Sequence, residues 1–177
     1  MKNILSMILF FISFTNCYSQ EIPKWLVQEW ESKVKDSGIW IAHNSKYQNE
    51  NEPYDAYGQK WEWGIGKKSL KGKLFAIKDG KELGTIWEFR LFWDPLKKKA
   101  FIQQFGGDGT YGIGELIYDK ENVSRSLQTF SNPEGIVYKI GHLSDYNHPD
   151  FFKTISFSIT EDGLWKENRV YIWKLKN

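Results

Sequence analysis

Cysteine is nearly missing from this chain. The one cysteine, Cys17, lies in the first twenty residues, so the remainder has no thiol to cross-link, to hold soft metals or to attack a substrate. Whatever folds after it is held together by burial. Histidine is almost as scarce, and His43 and His148 have no partner at metal-ligand spacing, which excludes a zinc motif. Beyond Phe14 no apolar run approaches the roughly 18 residues of a membrane-spanning helix. An excess of one charge is missing too. Lys and Arg number 24 against 22 for Asp and Glu, a formal net charge of +2, and no continuous basic face for nucleic acid emerges. The lysines that do gather, Lys67, Lys68, Lys71 and Lys73, then Lys97 to Lys99, fall at predicted turns, where they read as solvated loops that discourage edge pairing. No serine sits in a nucleophile elbow. Gly107 to Gly112 fits G-x-G-x-x-G, but Tyr111 to Tyr118 reads as a strand, and the dinucleotide fingerprint needs a helix there.

What the chain has in quantity is aromatic rings: 9 Trp, 9 Tyr and 12 Phe. All nine tryptophans follow Gln20, and many recur at every second position. Leu83, Thr85, Trp87, Phe89, Leu91 and Trp93 form the sharpest series, with Glu82, Glu88 and Arg90 between them. Tyr57, Trp61, Trp63 and Ile65 repeat it around Lys60 and Glu62. A period of two is that of a strand with one apolar face.

Residues 1–19 read as a secretory signal peptide: Lys2, an apolar stretch from Ile4 to Phe14, then Cys17 and Ser19 as small residues before a cut at Gln20. The rival reading makes Cys17 the acylated first residue of an outer-membrane lipoprotein, against which the flank Phe14-Thr15-Asn16 speaks. The expected location is therefore outside the cytoplasm, periplasmic or secreted. Residues 20–177 read as a single domain. Pro23 to Lys35 carries the one helical pattern, with Leu26, Val27, Trp30 and Val34 on a shared face, and Gly38 suits its left-handed end.

Strand patterns follow over 38–44, 55–65, 70–77, 82–93, 100–105, 111–118, 123–130, 136–143, 151–160 and 164–175. Asp79-Gly80 between two of them marks a type I′ hairpin. Trp165, Tyr171, Trp173 and Leu175 share one parity on the last strand. About ten strands joined by tight turns favour antiparallel neighbours, and a long meander with one apolar face curls until its edges meet. The expectation is an all-β, antiparallel up-and-down barrel with one N-terminal helix; a two-sheet sandwich and a cone-shaped α+β fold are the alternatives.

Gly38-Ile39-Trp40, Ser144-Asp145-Tyr146 and Arg169 resemble, in that order, three features of the lipocalin-like (calycin) barrels: the G-x-W opening the first strand, the T-D-Y loop motif, and the basic residue over the buried Trp. The chain is also similar to the ten-stranded lipocalin-like domains of exported bacterial proteins. The resemblance implies that Trp40 closes the barrel floor with Arg169 stacked on it, and that the barrel holds a small, mainly hydrophobic molecule. Trp61, Trp63, Trp87, Phe89, Trp93 and Tyr138 would line the wall. His142 shares parity with Ile136, Tyr138 and Ile140, so it points inward with them; the resemblance also makes it a conceivable haem ligand, although no cofactor is expected. Two further classes stay open. Surplus rings on the outside, or Tyr47, Tyr54 and Tyr57 at a pocket mouth, would suit a carbohydrate platform. Glu62, Glu88, Arg90 and Glu115 would suit acid–base catalysis if their parity faced a cavity, but the aromatic parity is the safer inward choice. A monomer is expected.

Overall fold

The structure, a computed structural model, describes residues 21–176. The signal-peptide reading of 1–19 and the lipid-anchor reading of Cys17 lie outside the described residues. The chain enters through a helix, α1 (Lys24–Lys33), with Pro23 at its N-cap. Gly38 follows at φ +64°, the left-handed turn that redirects the chain, and its carbonyl accepts from the Trp61 N–H. Ten strands come next: β1 (Ile39–His43), β2 (Ala56–Trp63), β3 (Ser69–Lys78), β4 (Lys81–Asp94), β5 (Lys99–Gly106), β6 (Tyr111–Lys120), β7 (Val123–Ser131), β8 (Val137–Asp145), β9 (Phe151–Ile159) and β10 (Trp165–Leu175). Each pairs antiparallel with the next, and β10 pairs with β1, so the sheet closes as an up-and-down barrel. No helix among the described residues is long and apolar enough to cross a membrane.

The turns have the chemistry their sequences announced. Asp79 and Gly80 both take positive φ, 50° and 71°, as a type I′ hairpin requires. Residues paired across an antiparallel ladder point to the same side, so one inward residue fixes the others. Trp40 is buried and pairs with Gln59; from there the inward set runs through Trp61, Gly72, Phe89, Gln104, Gly112, Phe130, His142, Thr154 and Trp173. The aromatic parity therefore faces the interior.

Two stretches depart from simple alternation. Register shifts where β3 meets β4 around Phe75, so the inward series begins at Trp87; Leu83, at 42% exposure, and Thr85 lie outside it. A bulge between Glu167 and Arg169 reverses the parity of β10. Arg169, Tyr171, Trp173 and Leu175 point inward, whereas Trp165 turns outward and lies over Gly141 beside Phe157. The face expected for Trp165 was thus the wrong one, because an inserted residue shifts every earlier position by one.

Glycines make room for rings. Gly72 sits between its pairing partners Trp61 and Phe89, and the two rings stack over it at 5.2 Å and 17°. Gly112 lies beneath the Phe130 ring in the same way. A Cβ at Gly72 would come within 2.5 Å of the Trp61 indole, whereas one at Gly84 would meet nothing within 4 Å. Gly72→Ala is therefore expected to cost about 1–3 kcal/mol through overpacking, lowering Tm by about 2–4 °C per kcal/mol. Gly84→Ala should stay within about 0.5 kcal/mol of the parent. Thermal unfolding followed by circular dichroism checks both; equal Tm losses would remove the stack from its structural role.

Candidate functional site

Each end of the barrel is covered by a different device. At one end α1 lies across the opening and buries Leu26, Glu29, Trp30 and Lys33. These positions, 26, 29, 30 and 33, form one helical face. The expected face shares Leu26 and Trp30 with the observed one, which has Glu29 and Lys33 in place of Val27 and Val34. Trp30 meets Trp63 edge-on at 6.2 Å. Trp40 donates its indole N–H to the Lys33 carbonyl at 2.8 Å and meets Phe152 edge-on at 4.9 Å. Trp40 thus closes the floor with the helix.

Arg169 is not its partner. Trp40 pairs with Leu175, and Arg169 stands six residues earlier, about 20 Å away at the usual strand rise. The cation among the floor rings is Lys33, whose Nζ is 4.6 Å from the Trp61 ring centre, 5.2 Å from that of Tyr146 and 5.4 Å from that of Phe152. Burial lowers the Lys33 pKa, and Glu29 at 3.8 Å partly restores it. Arg169 works at the opposite end. It grips Glu52 with two hydrogen bonds of 2.6 Å and donates to the Tyr171 hydroxyl at 3.2 Å. Tyr57 donates to Glu52 at 2.5 Å, and Tyr171 to the buried Asn44 at 2.8 Å. The Arg169 hydrogen bond, with that of Tyr57, outweighs burial and holds the Glu52 carboxyl below its usual range. The polar segment between β1 and β2 is in this way strapped across the far end.

Between the two covers lies a cavity of about 200 Å³. Its two sides differ. Trp61, Phe89, Leu91, Ile102, Leu116 and Trp173 supply an apolar wall. Facing it, β7, β8 and β9 supply Ser126, His142 and Ser156 as one paired row, and Ser124, Ser144 and Thr154 as the next. Glu29 and Lys33 form the floor. Several polar atoms here are already paired: Trp61 Nε1–H with Gln59 at 2.9 Å, Trp173 Nε1–H with Thr154 at 2.8 Å, and Gln104 Nε2–H with Gln128 at 2.9 Å. Ser124 Oγ, His142 Nδ1 and Gln128 Nε2 are buried with no partner among the described residues. Unmet buried polar groups cost about 1–3 kcal/mol each; Ser124 and His142 belong to the cavity lining, and Gln128 lies behind Gln104. A second hollow, about 350 Å³, runs between α1 and the β6–β7 turn. It shares Glu29 and Ser124 with the inner cavity, so these two side chains stand between the two spaces.

The sequence-predicted wall residues separate into groups. Trp61, Phe89 and His142 line the cavity. Trp63 packs under the helix. Trp87 and Tyr138 flank Phe130, at 5.9 and 5.4 Å, in a plug toward the far end. Trp93 packs against the core with its indole N–H buried and unpartnered. The residues that sequence reasoning missed are the small hydroxyls. Their signal was present: Ser124-Ser126, His142-Ser144 and Thr154-Ser156 recur at one parity on three successive strands. Glu62, Glu88, Arg90 and Glu115 face outward, with Lys60–Glu62 at 2.8 Å and Lys99–Glu115 at 2.7 Å. They are not gathered around the cavity as an acid–base pair would be. No group of three or more His, Cys, Asp or Glu suited to a metal ion occurs among the described residues.

No family model, curated protein or solved structure matches this chain. The barrel's own geometry carries the functional reading.

Burial holds the His142 imidazole down to about 4 from its ordinary 6.5. The unfolded chain takes up a proton near 6.5 that the folded barrel refuses until about 4. Stability is therefore full above pH 6.5, falls as pH drops through this window, and levels off below it. The loss amounts to about 3 kcal/mol at 1.36 kcal/mol per pKa unit. Urea unfolding of the parent and His142→Gln at pH 7 and pH 4.5 tests this: the parent should lose more stability on acidification than the variant, and parallel losses would clear His142 of the effect.

Proposed function

We propose that this chain is a binding protein that holds one small molecule inside its barrel without covalent chemistry. One observation carries the reading: the stacked Trp61–Phe89 pair faces a hydroxyl and imidazole wall across a space of about 200 Å³. The resemblance to the lipocalin-like barrels implied a mainly hydrophobic ligand. The hydroxyl wall adds a requirement, so the ligand proposed has an apolar, ring-sized body and one hydrogen-bonding edge. The space lies below the roughly 300–1,000 Å³ typical of drug-sized ligands. A porphyrin does not fit it, so haem ligation by His142 is not part of the proposal. We place the protein outside the cytoplasm, periplasmic or secreted, on the signal-peptide pattern of residues 1–19. Membership of the calycin barrels is proposed on the ten-stranded closure and the Gly38-Ile39-Trp40 opening. Since β1 closes on β10 and leaves no free edge for strand addition, the proposed state is a monomer.

A second reading has its own support. Trp165, 39% exposed, lies over Gly141 on the outer wall with Phe157 tilted beside it, an exposed indole of the kind on which a sugar ring stacks. The two readings predict different losses. Native mass spectrometry of the purified protein should show a retained compound of one or two rings, released on unfolding. Phe89→Ala and Ser126→Ala should each weaken its rebinding, by up to about tenfold for a lost hydrogen bond near 1.4 kcal/mol, while Trp165→Ala leaves it unchanged. An empty protein that binds oligosaccharides, and stops doing so in Trp165→Ala, would replace the first reading with the second.

A further inference from the structure

Two aliphatic side chains project from this barrel with nothing to cover them. Ile65 is 97% exposed and Leu96 is 93% exposed. Ile65 sits in the short 3-10 turn Ile65–Lys67 between β2 and β3, and Leu96 in the turn between β4 and β5. Both turns lie at the end of the barrel that α1 covers. Their hairpins are neighbours, since Ser69 at the start of β3 pairs with Phe92 near the end of β4. Two strand spacings put the tips about 10 Å apart.

The setting of the two tips is the same. Gly64-Ile65-Gly66-Lys67-Lys68 and Pro95-Leu96-Lys97-Lys98-Lys99 each place one large aliphatic within two residues of a run of lysines. Across 64–68 and 94–99 there are five lysines and a single acid, Asp94. Lys97 and Lys99 have acidic partners, at 3.7 and 2.7 Å. Lys67, Lys68 and Lys98 have none within 4 Å among the described residues. The turns do not need the aliphatics. Gly66 and Lys67 take the positive φ in the first. Asp94 accepts from the Leu96 and Lys97 N–H groups at 3.0 Å in the second. Solvated lysine turns explain the charge but leave two fully hydrated aliphatics at the apices unexplained. The β6–β7 turn at this end is different: it carries Asp119, Lys120, Glu121 and Asn122 and no aliphatic, and Asp119 is paired with Arg125 at 2.7 Å.

We propose that these two tips are a docking surface for an anionic lipid bilayer. Ile65 and Leu96 enter the headgroup layer as a pair, and the lysines beside them lie at the level of the lipid phosphates, each attracted by the negative surface. Two aliphatics give shallow, reversible attachment and no more. The docked barrel turns its helix-covered end to the membrane. That is also the end that carries the hollow beside α1. The surface stands apart from the inner cavity, so the two can fail separately.

Residues 21–177 contain α1 and every strand of the closed barrel, and they suit a vesicle test free of the apolar N-terminus. Sedimentation with phosphatidylcholine vesicles, alone or mixed with phosphatidylglycerol, reads the binding. The expected result is attachment to the mixed vesicles only, lost at high salt as screening shortens. Ile65→Ser with Leu96→Ser should cut it by at least about fivefold, and Lys67→Glu with Lys68→Glu and Lys98→Glu should abolish it. All these positions are solvent-facing, so Tm should hold in every variant. No binding to mixed vesicles would overturn the proposal. So would undiminished binding by the double serine variant, which would mean adsorption by charge alone.

Discussion

Trp40 opposite Leu175 and Ile41 opposite Lys174 are all that join the first strand to the last, with the Lys176 N–H donating to the Ile39 carbonyl just beyond. That short ladder turns a row of strands into a tube. Without it β1 and β10 would be open edges, and the inward rings would face solvent on one side. It is secured less by its own few hydrogen bonds than by what meets there. Trp40, Phe152 and Trp173 pack around the seam, and the Trp40 indole ties the seam to α1 through the Lys33 carbonyl. Helix and closure therefore support each other, in a chain whose barrel has no disulfide to fall back on.

The tube is filled unevenly, and that gives it a function to propose. On the β2–β4 side large rings pack over Gly72 and use their space completely. On the β7–β9 side serines, threonine and His142 are too small to reach across. The cavity is the volume left between long and short side chains. Ser126, Ser144 and Ser156 line that volume beside His142, whose Nδ1 is buried without a partner among the described residues. An unmet buried polar group costs folding energy. The outer surface has a comparable division: ion pairs within β2 and across β3–β4 and β5–β6, the exposed Trp165 ring, and lysine-flanked aliphatics at two tips.

The strands and most turns were legible because their signals are local. Alternation around Trp87 to Trp93, Asp79-Gly80 between two runs, and Gly38 after the helix each refer to a few neighbouring residues. The interior was legible only in part. Trp61, Phe89 and His142 share the inward parity and line the cavity, but parity says nothing of depth along the tube. Trp63, Trp87 and Tyr138 share that parity and end up beneath the helix or in the far plug. The bulge before Arg169 was invisible, since one extra residue leaves no composition signal. It reversed Trp165 while leaving Tyr171 and Trp173 where alternation put them.

The amino-acid sequence by itself determined one helix followed by about ten antiparallel strands, because strand period and turn chemistry are written over spans of two to eight residues; which parity of each strand is inside it left open. Only the tertiary structure decided that Lys33, not Arg169, is the cation among the floor rings, that Glu29 is buried, and that six small polar side chains converge on one wall. Those outcomes depend on which rows come opposite each other when the sheet closes. Register, bulges and closure are set by packing summed over the whole barrel, and no single stretch of sequence contains that sum.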